Sequence, residues 1–279
     1  MPLPPVRSRQ PIPPPIIVEI RERYDSWKAD NTALEGPFLE PKETDFAVVA
    51  KRVELVEKYK EFIDQQKYAE KFDSRSNLHS SVLEEFIYYL FRDLVSSFPG
   101  RPLIGKSATF KDLFFFPGSY TEMVTLPHAR IERKDHDFVI GATINAPFAM
   151  DGAEDVETHV FDLPAVAVEC KTYLDKTMLE GSSVAADQLK MRNPNALYIL
   201  VAEWLKLTTS VNLKKYKVDQ IYILRKQKNT DREFRYKDGY VKKPLDPAVV
   251  FRLYEQVREH LSGGWGGGVE EGLERGWLI

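Results

Sequence analysis

The chain has 279 residues, a single cysteine (Cys170), and 39 Lys/Arg against 42 Asp/Glu for a net charge of −3. That length buries a full core without staples. One cysteine excludes an internal disulfide and a cysteine-based zinc site, and no run of about 18 apolar residues offers a transmembrane helix. The N-terminal MPLPPVRSRQPIPPPII lacks the apolar core of a secretory signal, so a reducing cytoplasm is the expected setting.

In chain order, the first fifteen residues hold seven prolines and read as an extended arm, 1–15. Residues 16–72 read as a helical region. Ile16, Ile20 and Tyr24 recur at helical spacing up to about Lys28. After the loop EGPFLEPKETD, a second helix starts at Thr44 or Asp45 and runs to about Lys71, with Phe46, Val49, Val53, Val56, Tyr59 and Ile63 along its stripe. A core spanning 73–262 follows. In it, NLHSSVLEEFIYYLFRDLVSSFPG predicts a helix opened by Ser81 and Glu84 as a capping box, buried through Leu83, Phe86, Ile87, Leu90 and Leu94, and ended by Pro99-Gly100.

From Arg101 to Ile144 the texture turns to short β-like pieces, among them HDFVIGATI, a strand opening on Asp137. An acidic Gly/Pro-containing stretch, about 145–158, reads as a loop or loose hairpin. A strand over about 165–172 follows, then a helix over Met178–Met191 ended by Pro194. ALYILVAEW is nearly continuous in apolar residues, as a strand covered on both faces should be. VDQIYILRK is another strand, and Asp246-Pro247 caps a helix to about Leu261. The glycines of SGGWGGGVEEGLERGWLI make 263–279 a flexible tail. The order of elements predicts an α/β (α+β) fold, a central mixed sheet flanked by helices.

Charge is unevenly spread. Lys206–Lys243 carries twelve Lys/Arg against four acids, a net of +8, whereas Gly141–Cys170 has six acids and no Lys or Arg. A polyanion binder with a metal site has this pattern, and so do two solvated surface segments.

The informative stretch is AVAVECKT. Strand alternation puts Glu169 and Lys171 on one face, about 6.6 Å apart by strand rise. Opposite charges there need compensation, and an ion pair alone is a weak reason to keep them. A divalent cation and a phosphate would compensate both. Asp137 supplies a second carboxylate if its strand pairs with 165–172. Oxygen ligands completed by waters suit Mg²⁺, with Lys171 left to hold a water or face a phosphate. On the helix, Glu84 is accounted for by the capping box, which leaves Glu85 as the candidate carboxylate for the site; the plain alternative is a solvated helix flank.

Glu85 (or Glu84), then Asp137, then Glu169-Cys170-Lys171, then the helix with Asp187-Gln188-Leu189-Lys190 and the strand ALYILVAEW together resemble the PD-(D/E)xK nuclease superfamily over roughly 80–225. Two departures are His136 where the motif has Pro, and the long separation of Asp137 from Glu169. HSSVLEEFIYYLF, ECKTYLDKTMLEG and YILVAEW resemble type II restriction endonucleases that cut interrupted CCTNAGC-like sites. The resemblance implies a restriction-endonuclease-like fold and Mg²⁺-dependent cleavage of double-stranded DNA. It implies Asp137, Glu169 and the Cys170 carbonyl as metal ligands, Lys171 positioning the nucleophile, and a homodimer or a heterodimer with a second nuclease subunit.

Lys214, Lys215, Lys217, Arg225, Lys226 and Lys228 are the candidate phosphate contacts. Arg192, Asn193, Asn195, Arg232 and Arg235 are candidates for reading bases. Tyr198 and Trp204 are expected in the core. Two rival readings stand beside the nuclease. One is a non-catalytic DNA-binding or assembly protein of the same fold. The other is a nucleotide switch at GRPLIGKS, which spells a P-loop over Gly100–Ser107 but contains Pro102 and follows a helix end. An RNA target is open as well.

Overall fold

A computed structural model describes residues 14–69, 71, 78–228, 239–265 and 269–276. Most of the proline-rich arm and the candidate base readers Arg232 and Arg235 lie outside them. Among the described residues the elements are α1 (Pro14–Ala33), α2 (Asp45–Ile63), α3 (Gln66–Ala69), α4 (Leu78–Ser96), β1 (Leu103–Phe115), α5 (Tyr120–Met123), β2 (Ala129–Ala149), β3 (Val156–Leu174), α6 (Lys176–Arg192), β4 (Leu197–Leu205), β5 (Gln220–Ile223), α7 (Pro247–Ser262) and α8 (Val269–Arg275).

The strands form one mixed sheet in the order β1-β2-β3-β4-β5. β1–β2 and β2–β3 are antiparallel, and β3–β4 and β4–β5 are parallel, with α6 making the crossover. One face carries Phe138, Val166, Val168, Ile199 and Val201 into a core shared with α1, α2, α4 and α7. The other carries Ala167 and Tyr198 against α6, and Leu200 and Ala202 against a cluster that includes Leu179 and Leu207. β4 is buried from Leu197 to Trp204, which explains its unbroken apolar run. Trp27 of α1 stacks on Tyr59 of α2 at 5.3 Å, so the N-terminal helices share the core of the sheet.

Several elements differ from expectation. The second helix stops at Ile63, with Asp64 as its C-cap, and α3 follows as a separate turn. Phe46 is exposed on one side and rests edge-on against Phe251 rather than in the core. The fourth helix begins at Leu78, so Ser81 already lies inside it and cannot be an N-cap. The β-like pieces after Arg101 are two long strands, and Asp137 sits in the middle of β2 rather than at its head. Gly105-Lys106-Ser107 is part of β1, so no strand–loop–helix exists there to cradle phosphates. The tail contains α8.

The acidic stretch is a hairpin. β2 and β3 pair from Phe138–Val168 out to Ala149–Val156, with the turn between. Asp162 binds this arm to β1: its Oδ2 accepts from Ser107 Oγ at 2.5 Å and its Oδ1 from Thr143 Oγ1 at 2.7 Å. Glu157 accepts from the Ala129 amide at 3.0 Å. These two acids therefore tie strands rather than gather at a metal. Where the arm leaves the core, β3 gains one residue relative to β2 (Ile140 opposite Val166, then Gly141 opposite Pro164). The backbones approach so closely there that a Cβ on Gly141 would lie 2.1 Å from the Leu163 carbonyl oxygen.

Candidate active site

The charged pair in β3 is where alternation puts it. Glu169 and Lys171 sit opposite Leu200 and Ala202 of β4, on the α6 face. Cys170 between them turns its thiol into the helical core, where burial pushes its pKa well up, so the side chain is neutral and no ligand. Its backbone amide donates to Asp137 Oδ2 at 2.9 Å.

Pairing of β2 with β3 stops at Phe138–Val168, and Asp137 stands at the resulting fork. Lys171 Nζ donates to Asp137 Oδ2 at 3.1 Å and to Glu169 Oε2 at 2.8 Å. Two carboxylates from adjoining strands thus share one ammonium. Burial alone would lower the Lys171 pKa, but Glu169 and Asp137 outweigh it and the net shift is upward. Burial would likewise raise the Glu169 carboxyl; the bond from His136 and the nearby Lys171 ammonium overcome it and bring it down to about 2.

His136, which stands in the sequence where the motif has Pro, enters the site. It is 2% exposed, and its Nδ1 lies 3.3 Å from Glu169 Oε1. An ionised carboxylate only accepts, so Nδ1 carries the proton. Tyr198, buried as expected, packs its ring against the imidazole at 5.7 Å, and burial followed by Glu169 raises its pKa.

On α4 the sequence favours Glu85 and keeps Glu84 as the alternative, and the structure separates the two. Glu85 faces α1, where Tyr24 donates to both its oxygens at 3.0 Å and Tyr89 to Oε1 at 3.3 Å. That removes it from the Asp137 group. Glu84, freed from the capping role by the earlier helix start, is half-buried on the β1 side of α4. Its pKa is raised by burial and then by Asp137, and Lys106 Nζ lies 3.4 Å from its Oε2. Among the described residues no three His, Cys, Asp or Glu converge as a ready metal cage. A cation here would therefore have two carboxylates, with backbone oxygen and waters for the rest, a coordination that suits Mg²⁺.

The basic segment divides. Arg225 is 1% exposed and cannot meet DNA. Its Nε donates to Glu203 Oε1 at 2.6 Å and its Nη1 to Glu57 at 2.8 Å, while Lys60 holds the other oxygen of Glu203 at 2.8 Å. Lys214, Lys215, Lys217 and Lys228 are exposed. Lys226 is exposed too but pairs with Asp246 at 2.5 Å. The turn holding Lys214 and Lys215 is flanked by Val211, Tyr216 and Val218, which pack on the sheet face that carries Glu169 and Lys171. Arg192 is paired with Asp112 at 2.9 Å, and Asn193 donates to the Pro164 carbonyl at 2.7 Å, so both are engaged within the protein.

Comparison with known proteins gives two findings. Residues 75–278 match the Bpu10I restriction endonuclease family. Among solved structures, one described as the native BbvCI A2B2 tetramer at low resolution resembles the chain with a TM-score of 0.67 and 19% identity, over 89% of this chain and 90% of that one. At that identity the likeness is one of fold. No curated protein matches the chain.

Proposed function

The chain belongs to the Bpu10I restriction endonuclease family and is a type II site-specific deoxyribonuclease in kind; from that premise we propose that it cuts double-stranded DNA by Mg²⁺-dependent hydrolysis at the Asp137–Glu169–Lys171 cluster. The observation that carries the reading is the single ammonium shared by two carboxylates at the fork of the sheet. Arg225 also gathers two carboxylates, but its own side chain is fully buried; at the fork the ammonium and both carboxylates are reached by solvent. Two gathered there on one positive charge make a place that a divalent cation can take over.

Asp137 and Glu169, with the Cys170 carbonyl, would hold the cation. All three donors are hard oxygens, and the one soft donor nearby, the Cys170 thiol, is turned away and protonated. When bound, Mg²⁺ supplies polarisation of the phosphate and acidification of the attacking water. Lys171, on a flexible stem and charged, orients that water or neutralises the phosphate. Glu84 adds a third carboxylate at the edge of the site. Lys214, Lys215, Lys217 and Lys228 would neutralise phosphates along the flank, with Lys226 joining them if it releases Asp246. A reducing cytoplasm suits the single cysteine.

The fork of the sheet offers one Asp137–Glu169–Lys171 group, and a duplex has two strands to cut. A second catalytic subunit, identical or related, follows from that count. The tetramer formed by the similar BbvCI structure supports the same reading.

The test is digestion of a plasmid of known sequence in Mg²⁺ and in EDTA, beside Lys171→Ala. Discrete fragments should form with Mg²⁺ and not with EDTA. The variant should lose about 10²-fold or more in rate, the usual cost of removing one electrostatic group from a reacting centre. DNA retained in a gel shift without cleavage in Mg²⁺ or Mn²⁺ would instead make the chain a binding or assembly subunit.

A further inference from the structure

We propose that His136 is a positioning residue that holds Glu169 in its cation-binding rotamer through a bond that persists when Lys171 moves away. The inference rests on the reading of Glu169 as a cation ligand and adds a residue to it.

The first observation is backbone register. β1 and β2 pair Gly105 with Val139 but Ser107 with His136, so β2 holds one residue more than β1 across this step. Side chains of a regular strand alternate, and two neighbours cannot both face the same site. An extra residue breaks the alternation and re-aims a side chain. Here it lets His136 and Asp137, adjacent in sequence, both reach the Glu169–Lys171 pair.

The second observation is how the Glu169 carboxylate is held. Lys171 takes Oε2 at 2.8 Å and His136 takes Oε1 at 3.3 Å, so each oxygen has its own donor. The two donors differ in freedom. Lys171 is at the end of a four-carbon stem, is shared with Asp137, and has 25% of its side chain exposed. His136 is 1% exposed in its side chain and is backed by the Tyr198 ring. A lysine that serves a water or phosphate must let go of at least one carboxylate. When it does, His136 remains on Oε1, leaving Oε2 free in a fixed direction. Outer donors of this kind typically govern metal affinity by 10–100-fold.

The experiment measures Mn²⁺ binding to the full chain without DNA, from the loss of the free-ion electron spin resonance signal. His136→Leu keeps bulk and removes the donor. His136→Asn keeps an N–H near the position of Nδ1. Glu169→Ala serves as the control for the underlying reading, and circular dichroism verifies each fold. The expected result is about 10–100-fold weaker Mn²⁺ binding in His136→Leu, with recovery to within about threefold of wild type in His136→Asn. Glu169→Ala that binds like wild type removes the ligand reading itself. Glu169→Ala that fails to bind, beside a His136→Leu that binds normally, overturns only the positioning role. An Asn variant as weak as the Leu variant also overturns it, since a donor at that position would then not be what matters.

Discussion

Lys171→Met removes the one ammonium that both carboxylates share and keeps most of its stem. The cost follows from the site. The Glu169 carboxyl lies at about 2 instead of 4.5, and a fall of that size is about 3 kcal/mol of preference for the charged form. His136 and Lys171 supply that preference together. The Glu169 and Asp137 side chains are only 12% and 22% exposed, so water screens them poorly. Without the lysine they face each other unshielded, and removing one partner of a buried pair costs about 3–5 kcal/mol. We expect a loss near the lower figure in EDTA, about 6 °C in melting temperature at roughly 2 °C per kcal/mol for a chain of this size. Mg²⁺ should then recover much of it, since a ligand at a hundredfold excess over its Kd returns about 2.7 kcal/mol. In wild type the cation must compete with Lys171, so its stabilising effect should be smaller. Thermal melts of both proteins across a Mg²⁺ titration at pH 7 read this directly. The dependence on pH has a definite sign. A depressed carboxyl contributes stability above its unfolded value of 4.5 and loses it as pH falls toward 2, while the raised lysine contributes below 10.5 and loses it at higher pH. The gap between the two proteins should therefore be full at neutrality and shrink below about pH 4. A variant that melts with wild type in EDTA, or that gains no more from Mg²⁺, would refute the shared-charge argument.

Gly141→Ala puts a Cβ 2.1 Å from the Leu163 carbonyl oxygen and 2.9 Å from Pro164 Cα, so backbone must move; urea denaturation should show a loss of about 3 kcal/mol, typical of overpacking at a site with no slack. Arg225→Met breaks the buried contacts to Glu203 and Glu57 and should cost about 3–5 kcal/mol in the same assay. Its DNA affinity should keep the wild-type salt slope, whereas replacing Lys214, Lys215 and Lys217 together should flatten that slope by about 2 to 3 in a plot of log K against log salt. Glu84→Gln should slow plasmid cleavage by about 10–100-fold, as loss of an outer carboxylate does, while Glu85→Gln, still able to accept from Tyr24, should cut at the wild-type rate; equal rates for both would take Glu84 out of the site.

What could be read from the sequence, and what could not, separates along one physical line. Glu169 and Lys171 share a face because strand alternation is a property of one segment, and the burial of β4 and the Asp246 cap on the Ala248 amide at 2.8 Å are equally local. The choice between the two neighbours on α4 turns on where the helix starts: opening at Leu78 rather than Ser81 releases Glu84 from capping, and Glu84 then feels the charge of Asp137 while Glu85 goes to Tyr24. Arg225 and Lys226 look alike in a basic run, yet one closes a buried network with Glu203 and the other is exposed, because the partners come from α2 and β4, far away in sequence.

His136 is the sharpest case. Alternation in β2 alone assigns it to the face opposite Asp137, and nothing within β2 contradicts that. The contradiction comes from β1, whose Gly105, at a φ of +122°, precedes the step where β2 holds one residue more. A glycine in that conformation is tolerated where another residue would be strained, so the irregular pairing that turns His136 toward Glu169 is favoured by a residue 31 positions upstream of it. Residue types along a segment identify the kind of chemistry available. Register between segments decides which of those residues meet, and at this site one unmatched residue in the pairing makes a motif of three side chains into a group of four.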